Sequence, residues 1–483
     1  MSSTTEHNAF FIGGEYRAPA GTGRITVISP NTEEPIGSVP DGTEADIDAA
    51  VAAARQAFTD KSGWGGWSPA QRADAMERLA DELDKRAADL AQAVSAQNGM
   101  PIAIAGQLEA VFPQLLLRYY AGLAREYPFE ETRPGLLGGS TLVTADPVGV
   151  VGAIVPWNFP QALAAFKYAP GLAAGATFVF KPSPETVFDA YTLADAVAAA
   201  GIPDGVINIV PGGREVGAYL VSHPGVDKVA FTGSTAAGRT ISEVCGRLLR
   251  PVTLELGGKS AAIILDDADL DLTRVGEQIF SATLLNNGQT CFLGTRILAP
   301  RSRYDEVVQT FAGLAGSLQV GSALEATTQI GPMVSARQRE RVESYIAKGK
   351  GDGATVAAGG GRPQALDRGW FVEPTVFAGV DNNHAIAQEE IFGPVLSIIS
   401  YDGDDDAVAI ANASDYGLGG SVWTSDHDHG VSVARRVETG SIGINAYLPD
   451  PTAPFGGVKS SGLGRELGPE GLAAYLVKKS VYL

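Results

Sequence analysis

The stretch Val148–Lys181, which reads VGVVGAIVPWNFPQALAAFKYAPGLAAGATFVFK, decides the fold class. It contains two short runs, Val150–Val155 and Thr177–Lys181, in which apolar residues follow one another instead of alternating with polar ones. Such runs predict strands buried on both faces, as in a parallel sheet covered by helices. The pattern recurs as far as Leu256 at intervals of roughly 25 residues. The further candidate strands are Gly205–Val210, Lys228–Thr232 and Val252–Glu255.

Ala-rich helical runs lie between these strands, as at Thr186–Ala200 and Arg214–Ser222. We therefore expect a doubly wound α/β domain with a parallel sheet. A second α/β region follows from about residue 258 to 459, again with strands and helices in alternation. Its clearest helix lies in the stretch GPMVSARQRERVESYIAKGK at residues 331–350.

The two ends of the chain carry different patterns. Phe10–Pro40 alternates apolar and polar residues between Gly and Pro, which predicts short antiparallel strands. Asp46–Phe58 and Ser68–Gln97 have apolar residues at helical spacing and predict two helices. The tail AAYLVKKSVYL, residues 473–483, predicts an alternating strand that has no obvious partner in its own neighbourhood.

Composition excludes several classes of protein. With 483 residues and 45% apolar content, the chain can form two or three globular domains. A net charge of −19 without a basic run argues against binding nucleic acid or anionic lipid. The first twenty residues do not resemble a signal peptide, and no run of about 18 apolar residues occurs, so we expect a soluble cytoplasmic protein.

Metal binding is not expected either. The two cysteines, Cys245 and Cys291, form neither a disulfide framework nor a metal knuckle, which fits a reducing compartment. The run DHDH at residues 426–429 has the composition of a metal site. Its four polar residues are consecutive and precede a glycine, so an exposed helix start is the better interpretation.

Cys291 poses the central question, since it lies in the stretch NNGQTCFLG at residues 286–294. A cysteine is usually a small buried hydrophobe, and it reacts only where its surroundings favour the thiolate. The stretch alone leaves packing residue and nucleophile about equally favoured.

Residues at the carboxyl ends of the candidate strands are the place to look for partners, because doubly wound sheets bind ligands there. Each candidate also has a structural explanation. Asn158 offers an amide within a rigid PWNFP turn, and Lys181 is a lone cation after the second strand. The FTGSTAAG turn at 231–238 suits a pyrophosphate but is also a plain helix start. Glu255, in an apolar strand end, is either a general base or half of a salt bridge. The run EEIFGP at 389–394 taken alone is an acidic turn.

Taken together, these blocks resemble the aldehyde dehydrogenase superfamily over nearly the whole chain. ELGGKS at 255–260 and GQTC at 288–291 resemble the family's two active-site signatures. The PWNFP and EEIFGP blocks and PFGGVKSSG at 454–462 match further family blocks in the family's order. This resemblance decides the question of Cys291 in favour of the nucleophile, while Cys245, inside a helical run, is expected to pack.

The resemblance implies three domains and an oligomer. A dinucleotide-binding domain would comprise residues 1–127 and 148–257, and a catalytic domain residues 258–459. An oligomerisation arm would combine a hairpin at 128–147 with residues 460–483. A homodimer or homotetramer follows, and the tail strand would gain its partner in that arm.

The resemblance also implies the chemistry, which is oxidation of an aldehyde to a carboxylic acid with NAD or NADP as cofactor. Cys291 would attack the carbonyl, Asn158 would hold the oxyanion, Glu255 would activate water, and Lys181 would complete the set by binding the adenosine ribose. The implied cofactor-binding residues are Ile154, Pro156, Trp157, Lys181, Ser183, Gly213, Phe231, Gly233, Ser234, Leu256, Glu390 and Phe392. The implied substrate residues are Phe159, Leu163, Phe166, Phe292 and Phe455.

Three rival functions are less favoured. A CoA-acylating relative would not need a base at Glu255. A thiol hydrolase would need a His beside Cys291, and it would leave the nucleotide-site blocks unexplained. A non-enzymatic descendant would not be expected to retain all three catalytic residues.

Two features bear on specificity. The aromatic side chains in the blocks, with no Arg or Lys placed there to hold a second carboxylate, favour apolar aldehydes over semialdehydes of dicarboxylic acids. Many NAD-preferring family members place a Glu three residues after the lysine equivalent to Lys181, and here that position is Pro184. We therefore expect NADP to be tolerated, with Lys181 and Ser183 as donors, unless Glu185 takes over the exclusion.

Overall fold

The computed structural model describes residues 5–483, and its fold is mixed α/β with two parallel sheets. The α-helices are α1 Glu44–Thr59, α2 Pro69–Asp84, α3 Ala87–Asn98, α4 Ile102–Leu108, α5 Phe112–Glu126, α6 Pro160–Ala174, α7 Phe188–Ala199, α8 Arg214–Ser222, α9 Thr235–Arg247, α10 Leu272–Thr283, α11 Tyr304–Ser317, α12 Ala336–Gly351, α13 Ala385–Gln388, α14 Gly403–Asn412, α15 His427–Ala434 and α16 Gly468–Ala473. The strands are β1 Thr5–Glu6, β2 Phe10–Ile12, β3 Glu15–Arg17, β4 Arg24–Ile28, β5 Pro35–Pro40, β6 Glu130–Pro134, β7 Ser140–Pro147, β8 Val150–Ile154, β9 Thr177–Lys181, β10 Ile207–Ile209, β11 Lys228–Thr232, β12 Val252–Glu255, β13 Ala261–Ile264, β14 Arg296–Pro300, β15 Thr355–Ala358, β16 Thr375–Ala378, β17 Val395–Tyr401, β18 Tyr416–Gly417, β19 Gly420–Trp423, β20 Gly443–Ile444, β21 Val458–Lys459, β22 Gly462–Leu463 and β23 Leu476–Tyr482.

The first sheet contains the five strands predicted from continuous apolar runs. Its order is β22-β12-β11-β8-β9-β10-β2-β3, and β12 through β10 are all parallel neighbours. Every residue of β8, β9 and β11 is buried, as expected for strands covered by helices on both faces. The doubly wound parallel sheet is therefore confirmed.

The topological switch of this sheet lies between β8 and β11. From β8 the chain moves outward through β9 and β10, then returns to the other side of β8 and continues through β11 to β12. Helices therefore leave in opposite directions from the carboxyl ends of β8 and β11, and a crevice opens there. The segments after these two strands are Val155–Phe159 and Gly233–Ser234.

The second sheet has the order β15-β16-β17-β14-β13-β19-β20 and is parallel except at β15. Between its strands, the predicted helix of residues 331–350 occurs as α12, which begins with Ser335 as N-cap. The Ser335 hydroxyl accepts a hydrogen bond from the Gln338 N–H, which fixes the start of the helix.

The prediction of one helix over Ser68–Gln97 is wrong, because α2 ends at Asp84 and α3 begins at Ala87. The Arg86 guanidinium donates to the Glu82 carbonyl at 2.8 Å, which is the acceptor that the Arg86 N–H would use in a continuous helix. The Arg86 N–H bonds instead to the Leu83 carbonyl at 3.0 Å, and the α-helix is interrupted there.

The predicted N-terminal strands contribute to two sheets. β2 and β3 pair antiparallel and extend the first sheet beyond β10. β4 and β5 also pair antiparallel, but in a separate sheet of three strands, where β1 joins β5 in parallel.

The tail strand β23 pairs with β7 along its whole length, and β7 pairs with β6 to complete a three-stranded antiparallel sheet. Only the last part of residues 460–483 lies in this sheet, since β22 pairs with β12 and α16 contacts α6. Strand β23, at one edge of this sheet, and the residue after it expose apolar side chains. These are Val477, Val481, Tyr482 and Leu483.

Candidate active site

Cys291 lies where two cavities meet. One is a narrow tunnel lined by apolar side chains, and the other is a cleft of about 430 Å³ along the carboxyl ends of β8 and β11. Asn158 also lines both of them. A molecule in the tunnel and a molecule in the cleft could therefore each reach the Cys291 thiol.

An unusual backbone conformation holds the loop before Cys291. Asn286, Asn287 and Gly288 have φ values of 51°, 60° and 72°, in the left-handed region that favours Asn and Gly. A Cβ on Gly288 would overlap the Gly393 carbonyl, so only glycine fits there. The Asn287 amide donates to the carbonyls of Gly99 and Pro332 at 2.8 and 3.1 Å. The NNG sequence is thus explained by the turn that it must make.

The surroundings of the thiol disfavour its ionisation in the free protein. Burial raises the pKa of Cys291 far above its usual range, and the carboxyl groups of Glu390 and Glu255 add to the shift. The backbone N–H groups of Cys291 and Phe292 oppose it by hydrogen bonding. The surroundings of Cys291 thus favour the thiol over the thiolate, with two N–H donors close to the sulfur.

Asn158 is fixed by hydrogen bonds on both its side chain and its backbone. Its side-chain amide donates to the Gln289 carbonyl at 3.0 Å. Its own carbonyl accepts from Asn98 at 3.2 Å and from Asn286 at 2.9 Å. An amide nitrogen carries two hydrogens, so one remains available for a ligand beside the thiol.

Glu255 ends β12 and is 3% exposed, with hydrogen bonds to neither carboxylate oxygen. Burial raises its pKa well above the usual range, and the charge of Glu466 adds to the shift, while Lys167 opposes it. Its Oε1 lies close to the backbone of Gly456, where φ is 149° and a Cβ would approach the oxygen to 2.6 Å. Glu255 lines neither cavity, although its charge reaches the thiol.

The cleft gathers seven of the implied cofactor-binding residues. Helix α9 begins at its edge with Ser234 as N-cap, whose hydroxyl accepts from the Ala237 N–H at 3.3 Å. The free N–H groups of this first turn suit an anion such as a pyrophosphate. Glu390 offers a carboxylate for a ribose diol, so the residues present fit a dinucleotide. The seven residues are Pro156, Trp157, Gly233, Ser234, Leu256, Glu390 and Phe392.

The remaining implied cofactor residues line neither cavity. Ile154, Lys181 and Phe231 lie in strands of the same sheet, whereas Ser183 follows β9 and Gly213 is the N-cap of α8. The Lys181 ammonium donates to the carbonyls of Pro182 and Gly212 at 3.0 and 2.8 Å. Burial lowers the pKa of Lys181 to about 8, and the charge of Glu185 opposes that shift. Lys181 therefore lies apart from the thiol, beside the turn that precedes α8.

Ser183 is already engaged. Its hydroxyl donates to the Glu185 carboxylate at 2.5 Å, and the other oxygen of Glu185 lies 3.9 Å from the Arg337 guanidinium. Glu185 thus turns back toward the end of β9, although Pro184 separates it from Ser183. The Ser183 hydroxyl, which was expected to donate to a 2′-phosphate, is therefore paired with the Glu185 carboxylate.

All five implied substrate residues line the tunnel. Phe159, Leu163 and Phe166 come from the start of α6, and the rings of Phe166 and Phe292 both meet Phe455 edge-on at 6.0 and 6.3 Å between centroids. The lining contains no charged side chain. Residues that the sequence reasoning missed are Leu108, Phe112, Ala162, Leu285, Thr290, Leu448 and Pro449.

The cleft also has a wall that the sequence reasoning missed. Arg337, Gln338 and Arg341 of α12 line it, together with Thr232 and Gly257. The pattern of α12 identified it as a helix, but nothing in the pattern distinguished these polar residues from solvated ones. Their position depends on contacts with a segment some 50 residues further along the chain, such as the hydrogen bond from the Gln338 side chain to the Phe392 carbonyl.

Other observations limit the kinds of site. Asp426 caps α15 by accepting from the His429 N–H, as expected for a helix start. Residues 5–483 contain no group of three His, Cys, Asp or Glu placed to hold a metal ion. No helix in this described range is long and apolar enough to cross a membrane. Cys245 is fully buried in an apolar cluster and packs as predicted.

Comparisons with known proteins agree with this geometry. The sequence model described as "Aldehyde dehydrogenase family" matches residues 16–481. Geranial dehydrogenase from Castellaniella defragrans is 59% identical over 480 residues, which cover 99% of each chain. The aldehyde dehydrogenase of Mycobacterium tuberculosis complexed with NAD+ superposes with a TM-score of 0.96 at 48% identity, covering 100% of this chain and 99% of that one.

A third relative binds both kinds of ligand. The C291A mutant of aldehyde dehydrogenase C from Pseudomonas syringae, complexed with NAD+ and octanal, superposes with a TM-score of 0.95 at 39% identity, covering 100% of this chain and 99% of that one. With its family match, its relatives and two cavities that meet at one thiol, this chain belongs to the aldehyde dehydrogenase family.

Proposed function

We propose that this NAD(P)-dependent aldehyde dehydrogenase oxidises apolar aldehydes, with Cys291 as nucleophile and Asn158 and Glu255 as its catalytic partners. The observation that carries the proposal is that Cys291 lines both the apolar tunnel and the dinucleotide cleft. An aldehyde carbonyl and a cofactor ring could therefore meet at one atom, the Cys291 sulfur.

The first half of the reaction forms a covalent intermediate on Cys291. The sulfur, as thiolate, bonds to the aldehyde carbon while the carbonyl π electrons move to oxygen. The free hydrogen of the Asn158 amide and the Cys291 N–H hold that oxyanion. An uncharged amide suits this position, because a cation would bind the thiolate itself before the reaction.

A bound NAD(P) would supply a hydride acceptor, and loss of hydride from the thiohemiacetal carbon would leave a thioester on Cys291. Glu390 would hold the nicotinamide ribose, Phe392 would pack against the ring, and the first turn of α9 would hold the pyrophosphate. These positions all lie on the cleft side of the thiol.

The second half regenerates the enzyme. The Glu255 carboxylate takes a proton from water, the oxygen adds to the thioester carbon, and the carbon–sulfur bond breaks to release the carboxylic acid. The buried position of Glu255, without hydrogen-bond donors, gives it a raised pKa and hence a stronger basicity than an exposed carboxylate has. Its presence favours water over CoA as the acyl acceptor.

The tunnel supports an apolar substrate. Its lining is aliphatic and aromatic apart from Asn158, Thr290 and Cys291 at the reacting end. The geranial dehydrogenase that is 59% identical is named for a branched unsaturated aldehyde, and octanal occupies the Pseudomonas syringae structure. We infer that this chain accepts aldehydes of that length and polarity.

We also infer a homo-oligomer in a reducing cytoplasm. The β23 edge exposes Val477 and Val481, which would suit a strand or hydrophobic surface of another subunit. Cys245 and Cys291 are both free thiols, as expected in the cytoplasm.

The Cys291→Ala variant tests the nucleophile. We expect turnover to fall below about a thousandth of wild type, while NAD+ affinity stays within about twofold, because the cofactor is held by other residues. Rates come from absorbance at 340 nm and affinities from calorimetry. Cys245→Ala is the matched control and should remain active, since Cys245 is enclosed in an apolar cluster. An active Cys291→Ala protein would remove Cys291 from this role.

The Glu255→Gln variant tests the base. Hydride transfer should proceed once, so reduced cofactor should appear in a burst of about one equivalent per site and then stall at the thioester. Stopped-flow absorbance measures the burst, and mass spectrometry of the quenched protein should find an acyl group on the Cys291 peptide. A uniform slowing without burst or acyl-enzyme would exclude Glu255 as the base.

Substrate comparison tests the tunnel. We expect kcat/KM for geranial, hexanal and benzaldehyde to exceed that for succinic semialdehyde by at least about tenfold, or about 1.4 kcal/mol, because the tunnel has no cation for a carboxylate. Leu448→Arg would place a cation at the tunnel wall and should raise the relative rate with succinic semialdehyde. If the wild-type enzyme preferred succinic semialdehyde, the tunnel would not be a site for apolar aldehydes.

Cofactor selectivity tests the turn after β9. With Pro184 in place of an acceptor, NADP should be used within about tenfold of NAD in kcat/KM, and Pro184→Glu should make the enzyme NAD-specific. Ser183 donates to Glu185, so Glu185 is the carboxylate that remains beside this turn, and Glu185→Gln should raise the NADP rate relative to NAD. If wild type is more than a hundredfold selective for NAD and Glu185→Gln leaves that unchanged, another residue controls selectivity.

A further inference from the structure

The loop between α13 and β17, residues 389–394, needs external support for its shape. Phe392 has a φ of 63°, which a bulky side chain adopts only under constraint, because its Cβ then crowds the following carbonyl. The loop lies outside any helix or strand, and the carbonyls of Glu390–Phe392 have no ladder partners. Yet it carries Glu390 and Phe392, both of which line the cofactor cleft.

Helix α12 supplies the missing donors. The Gln338 amide donates to the carbonyls of Ile391 and Phe392 at 3.2 and 2.7 Å. The Arg341 guanidinium donates to the Ile391 carbonyl at 3.3 Å and also to the Glu390 carbonyl. Three successive carbonyls of the loop are thereby satisfied by two side chains.

A third contact comes from the next turn of the same helix. The Tyr345 hydroxyl donates to the Glu389 carboxylate, and the Arg341 guanidinium lies 5.0 Å from the centre of the Tyr345 ring. Gln338, Arg341 and Tyr345 are spaced by three and four residues, which places them on one face of α12.

Backbone packing brings the helix and the loop unusually close. A Cβ on Gly393 would overlap the Val342 side chain of α12. The Gly393 carbonyl also lies so close to Gly288, three residues before Cys291, that a Cβ on Gly288 would overlap it. The cofactor loop is thus held between α12 and the loop of the nucleophile.

The segment that leads into α12 also holds the nucleophile's loop. The Gly331 N–H donates to the Asn287 side chain at 2.6 Å, and the Val334 N–H donates to the Gln289 side chain at 3.0 Å. One continuous stretch, residues 331–345, therefore fixes both the loop of Cys291 and the loop of Glu390.

We propose that Gln338 and Arg341 are positioning residues, which hold loop 389–393 so that Glu390 and Phe392 face the nicotinamide half of the cofactor. Both hydrogens of the Gln338 amide are used on loop carbonyls, so its donors hold the loop and are not free for a ligand in the cleft that Gln338 lines. The inference rests on the proposed function, since it takes the cleft for the cofactor site.

The test compares a whole cofactor with its adenosine half. In Gln338→Met, which keeps the side-chain length but removes both donors, we expect the Kd for NAD+ to rise at least about tenfold. The Kd for ADP should stay within about twofold, because ADP does not reach the loop. Titration calorimetry measures both. Arg341→Lys, which can satisfy fewer carbonyls, should show the same selective loss to a smaller extent.

A second readout needs no cofactor. Amide hydrogen exchange in residues 389–393 of the free protein should be faster in Gln338→Met than in wild type, while exchange in the first turn of α9 should be unchanged. This separates a released loop from general destabilisation, which would raise exchange throughout.

Gln388→Met is the matched control. Gln388 is half-buried like Gln338 and also donates to two carbonyls, those of Asn382 and Ala413, at 2.6 and 3.0 Å. It should leave the ratio of the NAD+ and ADP dissociation constants unchanged. The proposal is overturned if Gln338→Met weakens NAD+ and ADP equally, affects neither, or matches Gln388→Met.

The wild-type protein distinguishes this failure from failure of the proposed function. A wild type that neither binds NAD+ nor oxidises aldehydes would overturn the proposed function and with it this inference. A wild type that does both, with an unchanged affinity ratio in Gln338→Met, would overturn the role of Gln338 and Arg341 alone.

Discussion

The hydrogen bond from the Asn158 side chain to the Gln289 carbonyl joins the two halves of the active site. Asn158 follows β8 of the first sheet, and Gln289 belongs to the loop that carries Cys291, beyond α10. The Asn158 carbonyl is held in turn by Asn98 and Asn286, so the turn cannot rotate independently of that loop. In the proposed mechanism the thiol must reach the substrate carbon while the Asn158 amide lies within hydrogen-bonding distance of its oxygen, and this hydrogen bond keeps the two groups together.

Burial shifts the pKa values of the ionisable groups around the thiol. Burial raises the pKa values of Cys291 and Glu255, raises that of Glu390 to about 7, and lowers that of the nearby Lys259 to about 7. Groups that are costly to ionise in a low-dielectric pocket are thus shifted toward their neutral forms. In the proposed mechanism the sulfur and Glu255 must each lose a proton to act, which ties that mechanism to the solvation of both groups.

The sequence allowed more of the fold than of the site wall to be predicted. Five strands followed from uninterrupted apolar runs, because burial on both faces leaves a signal in every residue. The break between α2 and α3 was missed, since it depends on one Arg86 hydrogen bond that no periodicity reflects. Phe159 and Phe455 were found through motifs, but Leu108 and Leu448 lie in no motif and meet only through tertiary packing. Likewise the pattern of α12 could not distinguish Gln338 from any solvated glutamine.

The tunnel and the cofactor cleft share few residues, and this division has an evolutionary consequence. The outer tunnel wall, with Leu108, Phe112 and Leu448, comes from α4, the start of α5 and the segment after β20, and none of these residues lines the cleft. Substitutions there can alter the width of the tunnel while the cofactor's surroundings and the loop of Cys291 stay intact. A family built this way can diversify the aldehydes it accepts through substitutions in the outer tunnel wall alone. Its intermediate variants would keep the redox step.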